Sequence, residues 1–254
     1  MKKVKVSIIS YLNTSPFEYG LKHSKIIDYI DLQYDVPAVC AKRLESKDAD
    51  LGIVPSAVVP SIADKKIISD YCIGASGPVR SVVICSNNEI KDIQNLYLDF
   101  ESRTSVQLAQ ILMRDYWKQD IKPIQLTSLS DIDPNRENSG YVLIGDKVFE
   151  HEQRFKFKYD LAENWKNFTG MPFVFATWTA VTPLSQDFID SFNNALNFGL
   201  QHIPEAVKEH NPVLDNEQAI KYLTENIDYN FDFDKHKALI EFWNMILKSR
   251  YRSC

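Results

Sequence analysis

The first strand of the chain, and the polar turn that follows it, constrain the fold more than any other segment. Residues 4–9 are mostly apolar, a pattern that predicts a buried strand. The strand gives way to a turn rich in hydroxyl and amide groups, and a helical pattern begins at Pro16. In open α/β sheets, ligands bind at the carboxyl ends of strands. The sequence therefore predicts a ligand site at the turn that contains Asn13 and Thr14.

Two more predicted strands end in polar residues. One, over residues 50–54, is followed by Ser56. Another, over residues 95–100, is followed by hydroxyl groups at residues 102–105, where a helical pattern starts. The amino end of a helix and short hydroxyl side chains are suited to bind an anionic small molecule. We therefore expect the three strand ends to meet in one pocket.

Strand and helix patterns alternate along most of the chain, which predicts an α/β protein with a mainly parallel sheet. Residues 79–85, which follow a Gly-Pro corner, and residues 173–181 are predicted as two long strands that bracket a central α/β unit. We therefore expect two lobes joined by two crossing strands, with the ligand in the cleft between them. Lobe 1 comprises residues 1–85 and 178–254, including a helical C-terminal part, and lobe 2 comprises residues 86–177.

Composition narrows the classes of function. The formal net charge of −5 over 254 residues argues against a nucleic-acid partner, because phosphate binding needs clustered Lys and Arg. The apolar stretch near the N-terminus is interrupted by Lys5 and Ser7 and has no small-residue cleavage site. We therefore expect no secretory signal, no membrane partner and a cytoplasmic protein. The four cysteines lack metal-binding spacing, and we expect no metal and no cofactor.

Asn13 and Ser81 are the candidate catalytic residues. The motifs of serine hydrolases, nucleotide-binding loops and zinc hydrolases are missing, and the five histidines lie away from the predicted strand ends. Amide and hydroxyl groups at strand ends can instead orient a substrate and stabilise charge. Phe173 is typical of a core aromatic residue, and its alternative role is to form an aromatic wall. The predicted ligand-binding residues are Thr14, Ser56, Ser102, Arg103, Thr104, Ser105, Asp146 and Phe173.

A resemblance to a known family rests on motifs that occur in a fixed order. The six motifs are YLNTSPFEYGL, DLGIVPS, GPVRSVVICS, DFESRTS, LIGD and GMPFVFATW. Together they resemble the chorismate dehydratase family of the futalosine route to menaquinone, from the start of the chain to about Trp178. The C-terminal third resembles that family only in its helical character. The sister family, 1,4-dihydroxy-6-naphthoate synthase, has a different opening loop, of the Ser-Pro-Cys-Pro-Asn-Asp type.

The resemblance implies a two-lobed fold like that of type II periplasmic solute-binding proteins, used as a cytoplasmic enzyme without a cofactor. It also implies a hydro-lyase reaction, in which chorismate, as the small-molecule partner, is converted to 3-[(1-carboxyvinyl)oxy]benzoate and water. The functional Asn and Ser of the family correspond to Asn13 and Ser81 of this chain.

Other functions are compatible with the same fold. A non-catalytic protein could bind small carboxylates, and the sister synthase acts in the same pathway. A ligand-sensing regulatory domain would need a DNA-binding segment, for which we expect no room in this chain. For the dehydration itself, the proton acceptor is open between a side chain, water and a carboxylate of the substrate. The sequence defines neither the oligomeric state nor the extent of lobe closure.

Overall fold

The structure is a computed structural model that describes residues 3–251. The strands in this part of the chain are β1 (Val4–Ile9), β2 (Ile30–Asp35), β3 (Leu51–Pro55), β4 (Lys66–Ala75), β5 (Val82–Ser86), β6 (Asn95–Leu98), β7 (Lys122–Gln125), β8 (Ser139–Ile144), β9 (Phe157–Asp160), β10 (Phe173–Ala180) and β11 (Asp228–Asn230). The α-helices are α1 (Ser15–Lys22), α2 (Pro37–Glu45), α3 (Arg103–Ile111), α4 (Asp146–His151), α5 (Leu161–Thr169), α6 (Gln186–Leu200), α7 (Ile203–His210), α8 (Asn216–Lys221) and α9 (Phe233–Tyr251). None of the helices within residues 3–251 combines the length and the apolar character needed to cross a bilayer.

The strands form two sheets. The first sheet has the order β11-β4-β10-β3-β1-β2, and the second has the order β7-β6-β8-β5-β9. In the first sheet, β1 is parallel to β2 and β3, whereas β10 is antiparallel to β3 and β4. In the second sheet, β6 is parallel to β7 and β8, whereas β5 is antiparallel to β8 and β9. Both sheets are therefore mixed rather than mainly parallel, because the strands that follow each passage between the sheets run against their neighbours.

The first passage between the sheets corrects one prediction. The run from Val79 to Cys85 was expected to be a long strand that crosses between the lobes, but β4 ends at Ala75 and β5 begins only at Val82, wholly within the other sheet. The physical reason is a turn at Arg80, whose φ of 67° is incompatible with extended strand geometry. The chain returns to the first sheet through residues 170–172, after α5 and before β10.

These two links bear on the division into lobes, which stays a prediction. The predicted boundary near residue 86 falls at the end of β5, a strand that belongs entirely to the second sheet. The predicted boundary near residue 177 falls inside β10, which belongs entirely to the first sheet. We propose that the links at residues 76–81 and 170–172 are the lobe boundaries. The predicted first lobe also includes residues 1–2 and 252–254, which lie outside the described residues.

Helix α1 is packed closely against α6, and this contact positions the polar turn after β1. A Cβ atom on Gly20 would meet the carbonyl oxygen of Ala195, and one on Gly199 would meet the carbonyl oxygen of Pro16. Only glycine permits this backbone-to-backbone approach. The amino end of α1, and with it the turn that contains Asn13, is thereby held against the helical C-terminal part of the chain.

Candidate functional site

One pocket lies where the polar turn after β1 meets the first link between the sheets and the start of α3. Its polar lining consists of Tyr11, Asn13, Thr14, Ser81, Ser102, Thr104 and Ser105. Its apolar lining includes Ile9, Ile73, Val79, Ile144 and Phe175. The empty space between the walls is about 530 Å³, a volume that includes solvent at the open mouth. Six of the ten residues predicted from the sequence therefore line one pocket.

The pocket has polar side chains in a mostly apolar wall, and it has no charged ones among the described residues. Among the lining residues that the structure describes, there is no Lys, Arg, His, Asp or Glu. A bound anion would therefore be held by hydroxyl, amide and backbone N–H groups, which are suited to orient a carboxylate without a salt bridge. Across residues 3–251, no group of three or more His, Cys, Asp or Glu side chains is arranged to hold a metal ion.

The turn after β1 positions Asn13 and Thr14. It is a single 3-10 turn over Leu12–Thr14 that leads directly into α1. Thr14 uses its hydroxyl to close the turn, because its Oγ1 hydrogen-bonds the carbonyl oxygens of Ile9 and Tyr11. The backbone oxygen of Asn13 accepts a hydrogen bond from the Tyr229 hydroxyl at 2.9 Å. The Asn13 side chain lines the pocket, and it also hydrogen-bonds the buried hydroxyl of Tyr222.

Ser81 is held by a tight turn at the first link between the sheets. Its backbone N–H donates to the Val79 carbonyl at 2.8 Å, which makes Arg80 the centre of a γ-turn with positive φ, a rare and strained conformation. The Asp160 carboxylate stabilises this turn by accepting the Arg80 N–H at 2.6 Å. Burial raises the pKa of Asp160, whereas the backbone hydrogen bonds that it accepts oppose the rise. On the other side, the Gly145 N–H donates to the Ser81 carbonyl at 2.8 Å.

The start of α3 contributes three buried hydroxyl groups. Ser102 caps the helix, because its Oγ accepts the backbone N–H of Ser105 at 3.0 Å. The Thr104 Oγ1 accepts the backbone N–H of Ala57 at 3.1 Å and so connects α3 to the segment that follows β3. Arg103 points away from the pocket, and its guanidinium lies 3.5 Å from the Glu45 carboxylate.

Four predicted residues lie outside the pocket lining, Arg103 among them. Ser56 is fully buried and donates its hydroxyl to the Val174 carbonyl at 2.6 Å, so it connects β3 to β10. Asp146 accepts the backbone N–H of Leu12 at 3.3 Å. Both residues make structural contacts, and their predicted contact with a ligand stays a prediction.

Phe173 is the fourth of these residues. It belongs to the core, where its ring contacts Trp165, Phe175 and Phe242 at centroid distances of 5.3, 4.7 and 4.9 Å. Phe175, two residues further along the same strand, lines the pocket instead.

Tyr11 is a pocket residue that the sequence analysis did not single out. Its hydroxyl donates to the Glu101 carboxylate at 2.6 Å, and the Lys147 ammonium lies 2.7 Å from both Glu101 and Asp99. This network connects the turn after β1 to the second sheet. Burial, reinforced by the bond to Glu101, raises the pKa of Tyr11 far above its ordinary value. Burial also raises the pKa of Asp99, although the Lys147 charge opposes the rise.

Two further tyrosines behind the pocket come from the C-terminal part of the chain. Tyr222 donates its hydroxyl to Ser81 Oγ at 2.6 Å, and Tyr229 donates to the Asn13 backbone. No local pattern in the sequence distinguishes these tyrosines from core aromatics. They are recognised only because the fold brings them to the two candidate catalytic residues.

Comparison with known proteins identifies the family. A family model described as menaquinone biosynthesis matches residues 4–248. The chain belongs to the menaquinone biosynthesis family. The match confirms the resemblance drawn from the six motifs, and it extends through the helical C-terminal part, where the sequence had offered only a general likeness.

Solved structures with low sequence identity share the fold of this family member. A protein of Archaeoglobus fulgidus known as AF1704 is 14% identical over 98% of both chains, with a TM-score of 0.78. A Candida albicans gene product with the generic periplasmic binding protein fold is 13% identical over 98% of this chain and 94% of its own, with a TM-score of 0.65. The ligand-binding component of a Staphylococcus aureus ABC-type import system is 10% identical over 99% and 93%, with a TM-score of 0.70. The predicted two-lobed fold of the periplasmic-binding-protein type is thereby confirmed.

Proposed function

We propose that this member of the menaquinone biosynthesis family is a chorismate dehydratase, a hydro-lyase that converts chorismate to 3-[(1-carboxyvinyl)oxy]benzoate and water. One observation carries the proposal. Asn13 and Ser81, the two residues to which the motifs assign function, line a single pocket although they lie in separate segments of the chain. The hydroxyl groups at the start of α3 line the same pocket.

The chemistry of chorismate matches this lining. The substrate has a ring carboxylate, an enolpyruvyl ether with a second carboxylate, and a ring hydroxyl on the carbon beside the ether-bearing carbon. Hydroxyl groups of Ser102, Thr104 and Ser105 lie at the amino end of α3, where a carboxylate is favoured. The apolar side of the pocket, including Ile73 and Phe175, is suited to contact the faces of the ring.

The reaction breaks two bonds and makes the ring aromatic. The hydrogen on the ether-bearing carbon leaves as a proton, and its electron pair forms the new ring double bond. The neighbouring C–O bond breaks, and its electron pair leaves with the hydroxyl oxygen, which becomes water by taking up a proton. Because aromatisation supplies a large driving force, the protein needs to contribute mainly orientation, a proton acceptor and stabilisation of the leaving oxygen.

The electrostatics of the pocket favour the substrate itself as the proton acceptor. The lining residues that the structure describes include no carboxylate and no imidazole. Burial raises the pKa of Tyr11, so this phenol stays protonated at neutral pH and is a poor base. A carboxylate of chorismate, held by Asn13, is the acceptor that fits these facts.

The proposal is tested by incubating purified protein with chorismate and analysing the mixture by liquid chromatography and mass spectrometry. We expect a product that is lighter by one water and coelutes with authentic 3-[(1-carboxyvinyl)oxy]benzoate. A sample without protein corrects for spontaneous rearrangement of chorismate. Saturable binding of chorismate in a calorimetric titration without product would favour the non-catalytic carboxylate-binding alternative. If neither binding nor product is detected, the proposal is contradicted, and the sister synthase becomes the function to test.

A further inference from the structure

Tyr222 lies directly behind the pocket wall, next to Ser81. It starts the π-helical turn Tyr222–Asn226 that continues α8, and only 1% of its surface is exposed. Its ring packs edge-on against Phe149 at a centroid distance of 5.2 Å. Its hydroxyl donates to Ser81 Oγ at 2.6 Å. Tyr222 does not line the pocket, so any influence on a ligand must pass through a neighbouring residue.

The direction of this hydrogen bond determines what Ser81 can offer to a ligand. A serine hydroxyl has one hydrogen to donate and two lone pairs to accept. Ser81 Oγ accepts the hydrogen of Tyr222, and among the described residues its own hydrogen has no acceptor. Because Ser81 lines the pocket, that hydrogen is available to an oxygen atom of a bound molecule. Ser81 is thereby set up as a donor.

Tyr222 can donate to Ser81 only while its phenol is protonated, and its surroundings keep it protonated. Burial raises the pKa of Tyr222, and a hydrogen bond from the Asn13 side chain offsets only part of the rise. The phenol therefore remains protonated and continues to donate at neutral pH. Asn13, Tyr222 and Ser81 come from the turn after β1, the C-terminal part and the first link between the sheets. Hydrogen bonds in such a chain polarise and strengthen one another.

We propose that Tyr222 is a positioning residue, whose hydroxyl fixes Ser81 as the hydrogen-bond donor to the leaving ring hydroxyl of the substrate. The inference rests on the dehydration proposed above. As the C–O bond breaks and its electron pair moves to the departing oxygen, Ser81 donates to that oxygen. The partial negative charge that this donation places on Ser81 Oγ is stabilised by Tyr222. No proton leaves Tyr222 in this step.

A matched pair of Tyr→Phe variants separates positioning from general loss of stability. Tyr222→Phe removes the hydroxyl beside Ser81. Tyr141→Phe removes the hydroxyl of another tyrosine that is 1% exposed as a whole residue. That hydroxyl donates to the Asp133 carbonyl at 2.8 Å. We expect Tyr222→Phe to lower kcat roughly tenfold with KM nearly unchanged, because the lost bond acts as charge develops. Tyr141→Phe should change kcat less than about twofold. Equal losses of kcat in the two variants would overturn the inference.

A double-mutant cycle shows whether Tyr222 acts through Ser81. In a Ser81→Ala background, Tyr222→Phe should cause little further loss of kcat, because the group that it positions is already gone. If Tyr222→Phe lowers kcat by the same factor in both backgrounds, then Tyr222 does not act through Ser81 and the inference is wrong.

A spectroscopic measurement decides the matter independently of turnover. The protein is labelled with tyrosine carrying ¹³C at Cζ, and the Tyr222 resonance is assigned by its loss in Tyr222→Phe. Ser81→Ala should shift this resonance, because Cζ carries the hydroxyl that loses its acceptor, and should leave the Tyr141 resonance in place. If wild-type protein forms no product from chorismate, the proposed dehydration fails, and a shifted resonance still supports the positioning of Ser81. An unshifted resonance overturns the inference whatever the activity.

Discussion

Replacing Gly145 by alanine should disturb the pocket directly, through its backbone and through the Tyr11 ring. Gly145 lies between β8 and α4 with φ 59° and ψ −147°, a region that is essentially restricted to glycine. A Cβ atom at this position would also lie 3.1 Å from two carbons of the Tyr11 ring, closer than ordinary packing permits. Gly145→Ala therefore combines backbone strain with crowding of a pocket residue.

The expected magnitude follows from these two contributions. The backbone strain is worth about 1–3 kcal/mol, and overpacking against a fixed ring adds about 1–3 kcal/mol. A loss of about 3 kcal/mol in a chain of this size lowers Tm by roughly 6–12 °C. We also expect a higher KM, because the Tyr11 ring must move and its hydroxyl is bonded to Glu101.

Two control variants separate strain from crowding. Gly170 has φ 74°, but a Cβ there would meet nothing within 4 Å, so Gly170→Ala should lose only about 1–2 kcal/mol. Gly77 also has open space and no positive φ, and Gly77→Ala should stay within about 0.5 kcal/mol of wild type. Thermal melts followed by circular dichroism give the order of stability of the three variants. If Gly145→Ala has the same Tm as Gly170→Ala, the crowding of Tyr11 is refuted. If it has the same Tm as Gly77→Ala, the backbone strain is refuted as well.

Three other expectations are tested separately. Thr104→Ala removes a pocket hydroxyl that also accepts the Ala57 N–H, so KM should rise about tenfold while kcat stays within about twofold of wild type. A loss mainly in kcat would contradict a binding role for Thr104. Burial raises the pKa of Cys40 and of Cys85 to about 12, so near pH 8 roughly one thiol in ten thousand is ionised. Peptide mapping after iodoacetamide treatment should find both cysteines modified only in denaturant. Rapid labelling of either cysteine in the folded protein would contradict this expectation. Exhaustive dialysis against EDTA should not change turnover, because the lining residues that the structure describes include no His, Cys, Asp or Glu to hold a transition metal. A loss of turnover that added metal restores would refute this expectation.

The parts of the site that sequence reasoning placed in the pocket are those set by local structure. The turn with Asn13 follows a buried strand directly, and Ser102 caps the helix that its own segment starts. Both relations involve residues a few positions apart, which a pattern of apolar and polar side chains can reveal.

The aromatic wall could not be assigned from the sequence in the same way. All eight residues of β10 are buried, so the strand has no alternation of apolar and polar side chains that would mark its inner face. Whether Phe173 or Phe175 reaches the pocket is decided by the neighbouring aromatic residues. The core ring of Phe242 lies next to Phe173, which leaves Phe175 for the pocket.

Long-range contacts explain the remaining omissions. Tyr222 is 141 residues from Ser81 in sequence, and Tyr229 is 216 residues from Asn13. No spacing rule connects residues at such separations, since only the packing of the C-terminal helices brings them to the pocket. The turn at Arg80 was missed for a related reason. Its positive φ is stabilised by the distant Asp160 carboxylate, whereas the sequence alone showed a β-branched run typical of a strand.

The most direct test of the account is the turnover of chorismate by Asn13→Ala and Ser81→Ala, measured as kcat and KM beside wild type. Ser191→Ala, on the exposed side of α6, is the matched control, because its hydroxyl only bonds the Asp187 carbonyl of the same helix. We predict that both pocket variants keep the fold and lose turnover by roughly a hundredfold or more, while the control retains it. Near-normal turnover in folded Asn13→Ala and Ser81→Ala would contradict the assignment of this pocket as the site of dehydration.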